Sequence, residues 1–342
     1  MDTVKHNLSD SWAEQLFQQF SHQLVELALV PGQQLVVCLG GGADSQTLLD
    51  LTDRFRQTHP EYTYLAIHLD HSFHEKSAAW AAGLVADCQQ RQFPFICEPL
   101  QVELGARISK EAAGRNARYQ RLVELTQPDA VLLLGQHRND QIETLFLQLK
   151  RGAGPKGLAA MAKFMQRHQR YWWRPLLGIS KAEIYQYAHA RQLFWIEDDT
   201  NYDVSIERNF LRHQVVPLFE QRWPYFGDAV LRSTQLCAEN QQLLELLLAD
   251  RVAPHIDAQG RLASRWMVGQ SAELQRGILR FWLQQQQAPL PSFAQLEQLR
   301  EQMLNTDNNA RPKVGWADCL VSRHTADNKD RLLTLTRVSK KR

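Results

Sequence analysis

Apolar positions along the first half of this chain follow two alternating rhythms. Leu35-Val36-Val37-Cys38-Leu39 is a short continuous apolar run, too short for a helix and rich in valine. Comparable runs recur at 62–69, 93–99 and 129–135. Between them lie stretches with apolar residues at helical spacing. Ser9 or Asp10 caps a first helix whose stripe holds Trp12, Leu16, Phe17, Phe20, Leu24 and Leu27. Further helices follow the first strand to about residue 58, open at Ser77 with Trp80, Leu84, Val85 and Cys88, open at Ser109 with Tyr119, Leu122 and Leu125, and cover 139–150. Strands alternating with helices predict a parallel, doubly wound α/β sheet. In such sheets ligands bind beyond the carboxyl ends of the strands. The unusual polar residues stand there: 40–45 after the first strand, Asp70-His71 after the second, 136–141 after the fourth.

The second half has a different texture. Ser180-Lys181-Ala182-Glu183 is a capping-box pattern opening a helix to about 191. A polar, acidic loop covers 195–201, and 207–212 leads into an amphipathic helix ending near Trp223-Pro224. From Tyr225 onward long Gln-, Leu- and Ala-rich helical patterns dominate. This predicts a first domain over 1–224, a mainly helical second domain over 225–310, and a short remnant over 311–342 that is basic at its end.

A length of 342 residues with 44% apolar content suits two or three domains with real cores. Five cysteines at 38, 88, 97, 237 and 319 never take C-x-x-C spacing, which argues against a disulfide framework, a zinc ribbon or an iron–sulfur site. No apolar run approaches transmembrane length, so a cytoplasmic protein with no membrane partner is expected. A net charge of +2 says little about partners. Local charge says more: between Thr144 and Ala182 there is no acidic residue, while Lys150, Arg151, Lys156, Lys163, Arg167, Arg170, Arg174 and Lys181 interleave with Phe164, Tyr171, Trp172 and Trp173. Cations with stackable rings suit a nucleic-acid surface; a solvated basic face explains the span equally well.

The strongest chemical signal is the turn Gly40-Gly41-Gly42-Ala43-Asp44-Ser45 between strand and helix. Glycines let a backbone approach a ligand closely, and N–H groups at a helix start attract anions. A carboxylate beside a phosphate cradle holds Mg²⁺, and Asp44 is the candidate metal ligand. A tight turn capped by Asp44 or Ser45 is the plainer alternative. No Lys-Ser/Thr pair closes the loop and no G-x-G-x-x-G spacing is present, so neither common nucleotide fingerprint applies.

The loop resembles the S-G-G-x-D-S pyrophosphate loop of the N-type ATP pyrophosphatases. Four more motifs narrow the resemblance. They are Glu111-Ala112-Ala113-Gly114-Arg115-Asn116-Ala117-Arg118-Tyr119, Gly135-Gln136-His137-Arg138-Asn139-Asp140-Gln141-Ile142-Glu143-Thr144, the loop 150–158, and 195–203 followed by Arg208-Asn209-Phe210-Leu211-Arg212. In this order they are similar to the bacterial tRNA(Ile)-lysidine synthetase family, strongly over about 30–225 and faintly to about 310. The resemblance implies an adenine nucleotide alpha hydrolase-like fold. It implies an enzyme that uses ATP and Mg²⁺ to adenylate the wobble cytidine of a CAU-anticodon isoleucine tRNA, and then ligates free lysine to that base. It implies roles for Asp44, Asp140, His137, Arg115 and Arg208 in catalysis, and for Gly40 to Ser45 on ATP. Glu111, Arg118, Asn139 and Asp198 would line the lysine and cytidine pocket, and Lys150, Arg151, Lys156 and Arg174 would grip tRNA. A homodimer is compatible with it.

Departures from the family pattern fall at Gly40 (Ser expected), Asn139 (Asp expected), Gly114 (Ala expected) and Asp70-His71-Ser72-Phe73 (His-His-Gly-Leu expected). They keep open a non-catalytic tRNA-binding paralogue, or another adenylating tRNA-modifying enzyme of the superfamily.

Overall fold

The computed structural model describes residues 2–70, 74–102, 110–305, 310–325 and 331–338, with side chains at 2–10 and 110–112 left aside. The chain divides into two compact units, 1–238 and 239–342.

The first unit is built on a six-stranded sheet. Its strands are β1 (Gln34–Leu39), β2 (Thr63–Asp70), β3 (Phe95–Pro99), β4 (Val131–Leu133), β5 (Phe164–Arg167) and β6 (Arg170–Trp173). The order is β3-β2-β1-β4-β6-β5, parallel except for the antiparallel pair β5–β6 at one edge. The expected doubly wound sheet is therefore present, with an edge hairpin inside the basic span that the sequence did not predict. Helices α1 (Asp2–Glu26), α2 (Ala43–Arg56), α3 (Ser77–Gln90), α4 (Lys110–Leu125), α5 (Arg138–Lys150), the single turn α6 (Pro155–Leu158) and α7 (Lys181–Ala190) follow in the chain. A helix α1 starting at Asp2 runs through Ser9 and Asp10, the expected caps; with no Gly or Pro between 2 and 26, nothing local stops it there.

Alternation along the strands explains why both faces are covered. Leu35, Val37, Leu39, Val131, Leu133 and Trp173 pack with α1, α2 and α7, while Val36, Leu132 and Trp172 pack with Leu122 of α4 on the other face. Successive side chains point to opposite faces, so a continuous apolar run feeds two cores. Phe20 of α1 stacks on Trp173 at 5.4 Å between centroids. Trp172 and Trp173 are 1% and 2% exposed, so these rings belong to the cores and not to a nucleic-acid surface. The same hairpin turns Arg170 inward, where it donates to the carbonyls of Val123 and Thr126.

Three short segments, α8 (Glu207–Phe210), a π turn (Leu211–Val215) and α9 (Val216–Arg222), precede α10 (Phe226–Val252), which runs from the first unit into the second. The two compact units divide at 238/239, within α10, whereas the helix itself begins just past residue 224. In the second unit α11 (Ala272–Gln285) and α12 (Phe293–Leu304) share a core with a four-stranded antiparallel sheet. Its strands are β7 (Leu262–Ala263), β8 (Lys313–Trp316), β9 (Cys319–Thr325) and β10 (Arg331–Arg337), in the order β7-β10-β9-β8. Trp282, Leu299, Met303, Val314, Val321 and Leu333 meet in that core. The stretch expected to be a remnant is therefore part of this unit: Val314 and Trp316 point inward while Lys313 and Gly315 point out. No helix among the described residues is long and apolar enough to cross a membrane.

Candidate active site

The connection after β1 leads outward to β2, and the one after β4 leads to β6 on the opposite side. Two diverging connections open a crevice at the carboxyl ends of β1 and β4. Into this crevice the fold delivers the glycine turn and the start of α5. Gly135 lets them meet, since a Cβ there would come within 3.3 Å of the Asp44 and Ser45 backbone.

The glycine turn is held from within. Ser45 Oγ accepts from the N–H groups of Gly40 (3.1 Å) and Gly41 (3.0 Å) and donates to Gly42 O (3.0 Å). Gly42 is the N-cap of α2 without a side-chain cap, so the first-turn N–H groups face the crevice open. Open N–H groups and the positive end of the helix suit a phosphate. Gly41 has φ +91°, and its carbonyl accepts from Ile196 N–H at 2.9 Å, which ties the acidic loop to the turn.

Asp44 projects from the first turn of α2. Both its oxygens accept from Lys181 Nζ at 2.8 Å, and Oδ1 lies 3.6 Å from His137 Nε2. The same His137 nitrogen is 3.5 Å from Asp140 Oδ2. His137 is buried, its Nδ1 without a hydrogen-bond partner among the described residues. Asp140 Oδ2 also accepts from His137 N–H (3.0 Å), capping α5. Beyond it, Arg212 reaches Asp140 Oδ1 at 3.4 Å and grips Glu143 through Nε (2.7 Å) and Nη2 (3.2 Å). Arg208 Nη1 lies 3.6 Å from Glu143 and 3.9 Å from Asp140, and its Nη2 donates to Thr144 Oγ1. Burial pushes the Glu143 carboxyl above its ordinary range. Burial opposes the Arg212 charge, but the Glu143 carboxylate outweighs it and holds the guanidinium above its usual value.

The expected site residues separate into two groups. Asp44, His137, Asp140 and Arg208 come together. The others have different surroundings. Asn139 Oδ1 accepts from Lys181 N–H at 3.0 Å and fixes the start of α7, so an amide oxygen does there what a carboxylate oxygen would. Asp198 accepts from Thr200 N–H and Oγ1, capping its own turn. Arg115 is exposed over the Tyr119 ring, and burial lowers the pKa of Arg118, which sits beside Cys38 and His68. The Glu111 side chain and residues 71–73 and 109 lie outside the described residues. Of the expected tRNA contacts, Arg151 and Lys156 are exposed and Lys150 is exposed but paired with Glu207. Arg174 is a correction: it is 4% exposed and donates to Gln136 Oε1 and Ala162 O, because the edge hairpin turns it into the sheet.

Lys181, Glu143 and Arg212 were not anticipated as site residues. Glu143 follows Asp140 by one helical turn and Arg212 follows Arg208 by one, which is the signal that could have found them. A metal fits the crevice at Asp44, whose hard carboxylate oxygens already hold a cationic group. Elsewhere His74, Asp198 and Asp199 approach one another, but His74 is engaged by Asp199 and Asp198 by Thr200.

Residues 11–219 match the PP-loop domain model, and 267–326 match the TilS substrate binding domain model. The tRNA(Ile)-lysidine synthase of Idiomarina loihiensis is 54% identical over 300 residues, covering 87% of this chain and 67% of that protein. The chain belongs to the tRNA(Ile)-lysidine synthase family. The synthase of Vibrio vulnificus (strain CMCP6) is 38% identical over 322 residues, covering 92% of this chain and 73% of the relative. That of Shigella flexneri is 40% identical, covering 83% and 66%. The chain thus spans about two thirds of the length of the curated synthases it matches. The fold is shared with the U34-tRNA thiolase NcsA from Methanococcus maripaludis, at TM-score 0.57 and 14% identity over 68% of this chain and 80% of that one. The PP-loop match spans the glycine turn, α5 and the Arg208–Arg212 segment, and the second match spans α11, α12, β8 and β9.

Proposed function

We propose that this chain ligates free lysine to C2 of the wobble cytidine of a CAU-anticodon isoleucine tRNA, using ATP. One cluster carries the reading: His137 sits 3.6 Å from Asp44 and 3.5 Å from Asp140, beside the open first turn of α2, in a member of the synthase family.

The chemistry has two steps. The cytosine carbonyl oxygen attacks the ATP α-phosphate and pyrophosphate leaves, which turns a poor leaving oxygen into a good one. The ε-amine of lysine then attacks C2, AMP departs with the former carbonyl oxygen, and the amine gives up a proton. The open N–H groups of α2 hold phosphate oxygens as negative charge develops on them. Asp44 would hold Mg²⁺, which supplies further charge stabilisation on the departing pyrophosphate. Arg208 and Arg212 lie on Asp140 and hold the buried Glu143 in place, and Asp140 would face the ammonium group of lysine. An unperturbed lysine amine has a pKa of about 10.4, so its attack needs a proton acceptor. Asp140, oriented by His137 Nε2 at 3.5 Å, would take that role. The exposed Arg151 and Lys156 and the second unit contact tRNA, whose wobble base is unstacked and delivered to the crevice. Such an enzyme works in the cytoplasm, where tRNA, ATP and lysine meet, and a homodimer is compatible with it.

The test is transfer of radiolabelled lysine to a CAU transcript with ATP and Mg²⁺. Transfer that needs ATP, and that fails on a transcript with uridine at the wobble position, is the expected result. Tight binding of the transcript with neither pyrophosphate release nor lysine transfer would favour the non-catalytic reading instead.

A further inference from the structure

Lys181 is the described residue most closely bound to Asp44, with Nζ at 2.8 Å from each carboxylate oxygen. This contact is built into the backbone. Asn139 Oδ1 holds the Lys181 N–H, and the Ser180–Glu183 capping box fixes the first turn of α7. Further along both helices, buried Asp50 accepts the Tyr187 hydroxyl at 2.7 Å. Two polar rungs therefore join α2 to α7 in one register. The Lys181 ammonium also lies 4.8 Å from the Tyr185 ring centroid, a second favourable position for its charge. Lys181 is 32% and Asp44 24% exposed, so ligands reach both.

A carboxylate in a phosphate cradle repels phosphate unless a cation neutralises it. Here Lys181 does so, leaving a neutral pair at the mouth of the open N–H groups. Yet a carboxylate with both oxygens on one ammonium is not available to a divalent cation, and two cations on one carboxylate repel each other.

We propose that Lys181 is an exchangeable counter-ion of Asp44: it holds the carboxylate while no nucleotide is bound, cedes it to the divalent cation arriving with phosphates, and then pairs with the phosphate oxygens itself. The proposal rests on the ATP-site reading above. It couples metal binding to phosphate binding. Free divalent cation then binds poorly, whereas cation and pyrophosphate together bind well.

The experiment uses the full chain without tRNA or lysine, so it is separate from any failure of lysine transfer. Mn²⁺ binding is titrated by electron paramagnetic resonance, with and without inorganic pyrophosphate, for the wild type, Lys181→Met and Lys181→Arg. Lys181→Met is expected to bind Mn²⁺ alone about tenfold more tightly and Mn²⁺-pyrophosphate about tenfold more weakly, with Lys181→Arg close to wild type. Lys181→Gln is a second neutral variant, and unfolding midpoints check that each is folded. Unchanged Mn²⁺ and pyrophosphate affinities in a folded neutral variant would overturn the proposal, as would an arginine variant impaired as much as the methionine one.

Discussion

Gly41 is where the acidic loop meets the phosphate turn, and replacing it by alanine tests that junction. The new Cβ would sit 2.7 Å from Ile196 Cδ1, with the next Ile196 atom at 3.7 Å. Ordinary carbon contacts lie near 3.5–4.0 Å, so about 1 Å of movement is needed. Alanine must also adopt φ +91°, a left-handed conformation that costs an L-residue about 1–2 kcal/mol. Overpacking adds about 1–3 kcal/mol, so the sum is about 2–5 kcal/mol. For a unit of this size each kcal/mol moves the melting temperature by about 2–4 °C. Ile196→Val removes the one clashing atom and by itself costs about 0.5–1.5 kcal/mol. In the double variant the steric part disappears and the φ strain remains, so the two changes should couple favourably by about 1–3 kcal/mol. Urea unfolding of the four proteins measures this coupling. Additivity within about 0.5 kcal/mol would show that Gly41 and Ile196 do not touch and would refute the docking of the loop.

Three further outcomes are expected. Arg212→Met leaves the buried Glu143 with only the longer Arg208 contact, which should cost about 2–4 kcal/mol near neutral pH by urea unfolding. The Glu143 carboxyl is already raised by burial, so its contribution favours the fold below the unfolded carboxyl range and fades as pH rises through the folded value; losing Arg212 raises that value further, and the penalty should shrink in acid. A penalty independent of pH would speak against the pairing. Arg174→Met should lower the melting temperature while changing tRNA affinity by less than about twofold in a filter-binding assay, since its guanidinium serves Gln136 and Ala162. Asn139→Asp should leave lysine transfer within about threefold of wild type and the fold slightly more stable, because the acceptor on Lys181 N–H is kept and a negative charge suits the start of α7; a large gain in transfer would mean that Asn139 faces substrate.

Much of this arrangement was legible in the chain because it depends on local periodicity. The run 35–39 and its glycine turn announce strand, turn and helix, and Asp140 announces a helix start. The edge hairpin was not legible. Basic residues normally mark a solvated face, yet Arg170 and Arg174 are drawn inward by carbonyl and amide oxygens far from them in sequence. Lys181 was hidden for the same reason: 137 positions separate it from Asp44, and only the pairing of α2 with α7 brings them together. The last sheet was missed although its alternation was present, since Val314, Trp316 and Val321 stand among short segments that mean little before β9 and β10 pair.

The most direct test of the account follows the oxygen of the wobble cytidine. A CAU transcript carrying heavy oxygen on C2 of that base is incubated with the protein, ATP, Mg²⁺ and lysine, and the AMP released is weighed by mass spectrometry. The account predicts that the label appears in AMP, one label for each lysine joined, and that Asp44→Ala abolishes both. Lysine transfer with unlabelled AMP would contradict it, for the nucleotide would then have activated something other than the cytidine carbonyl.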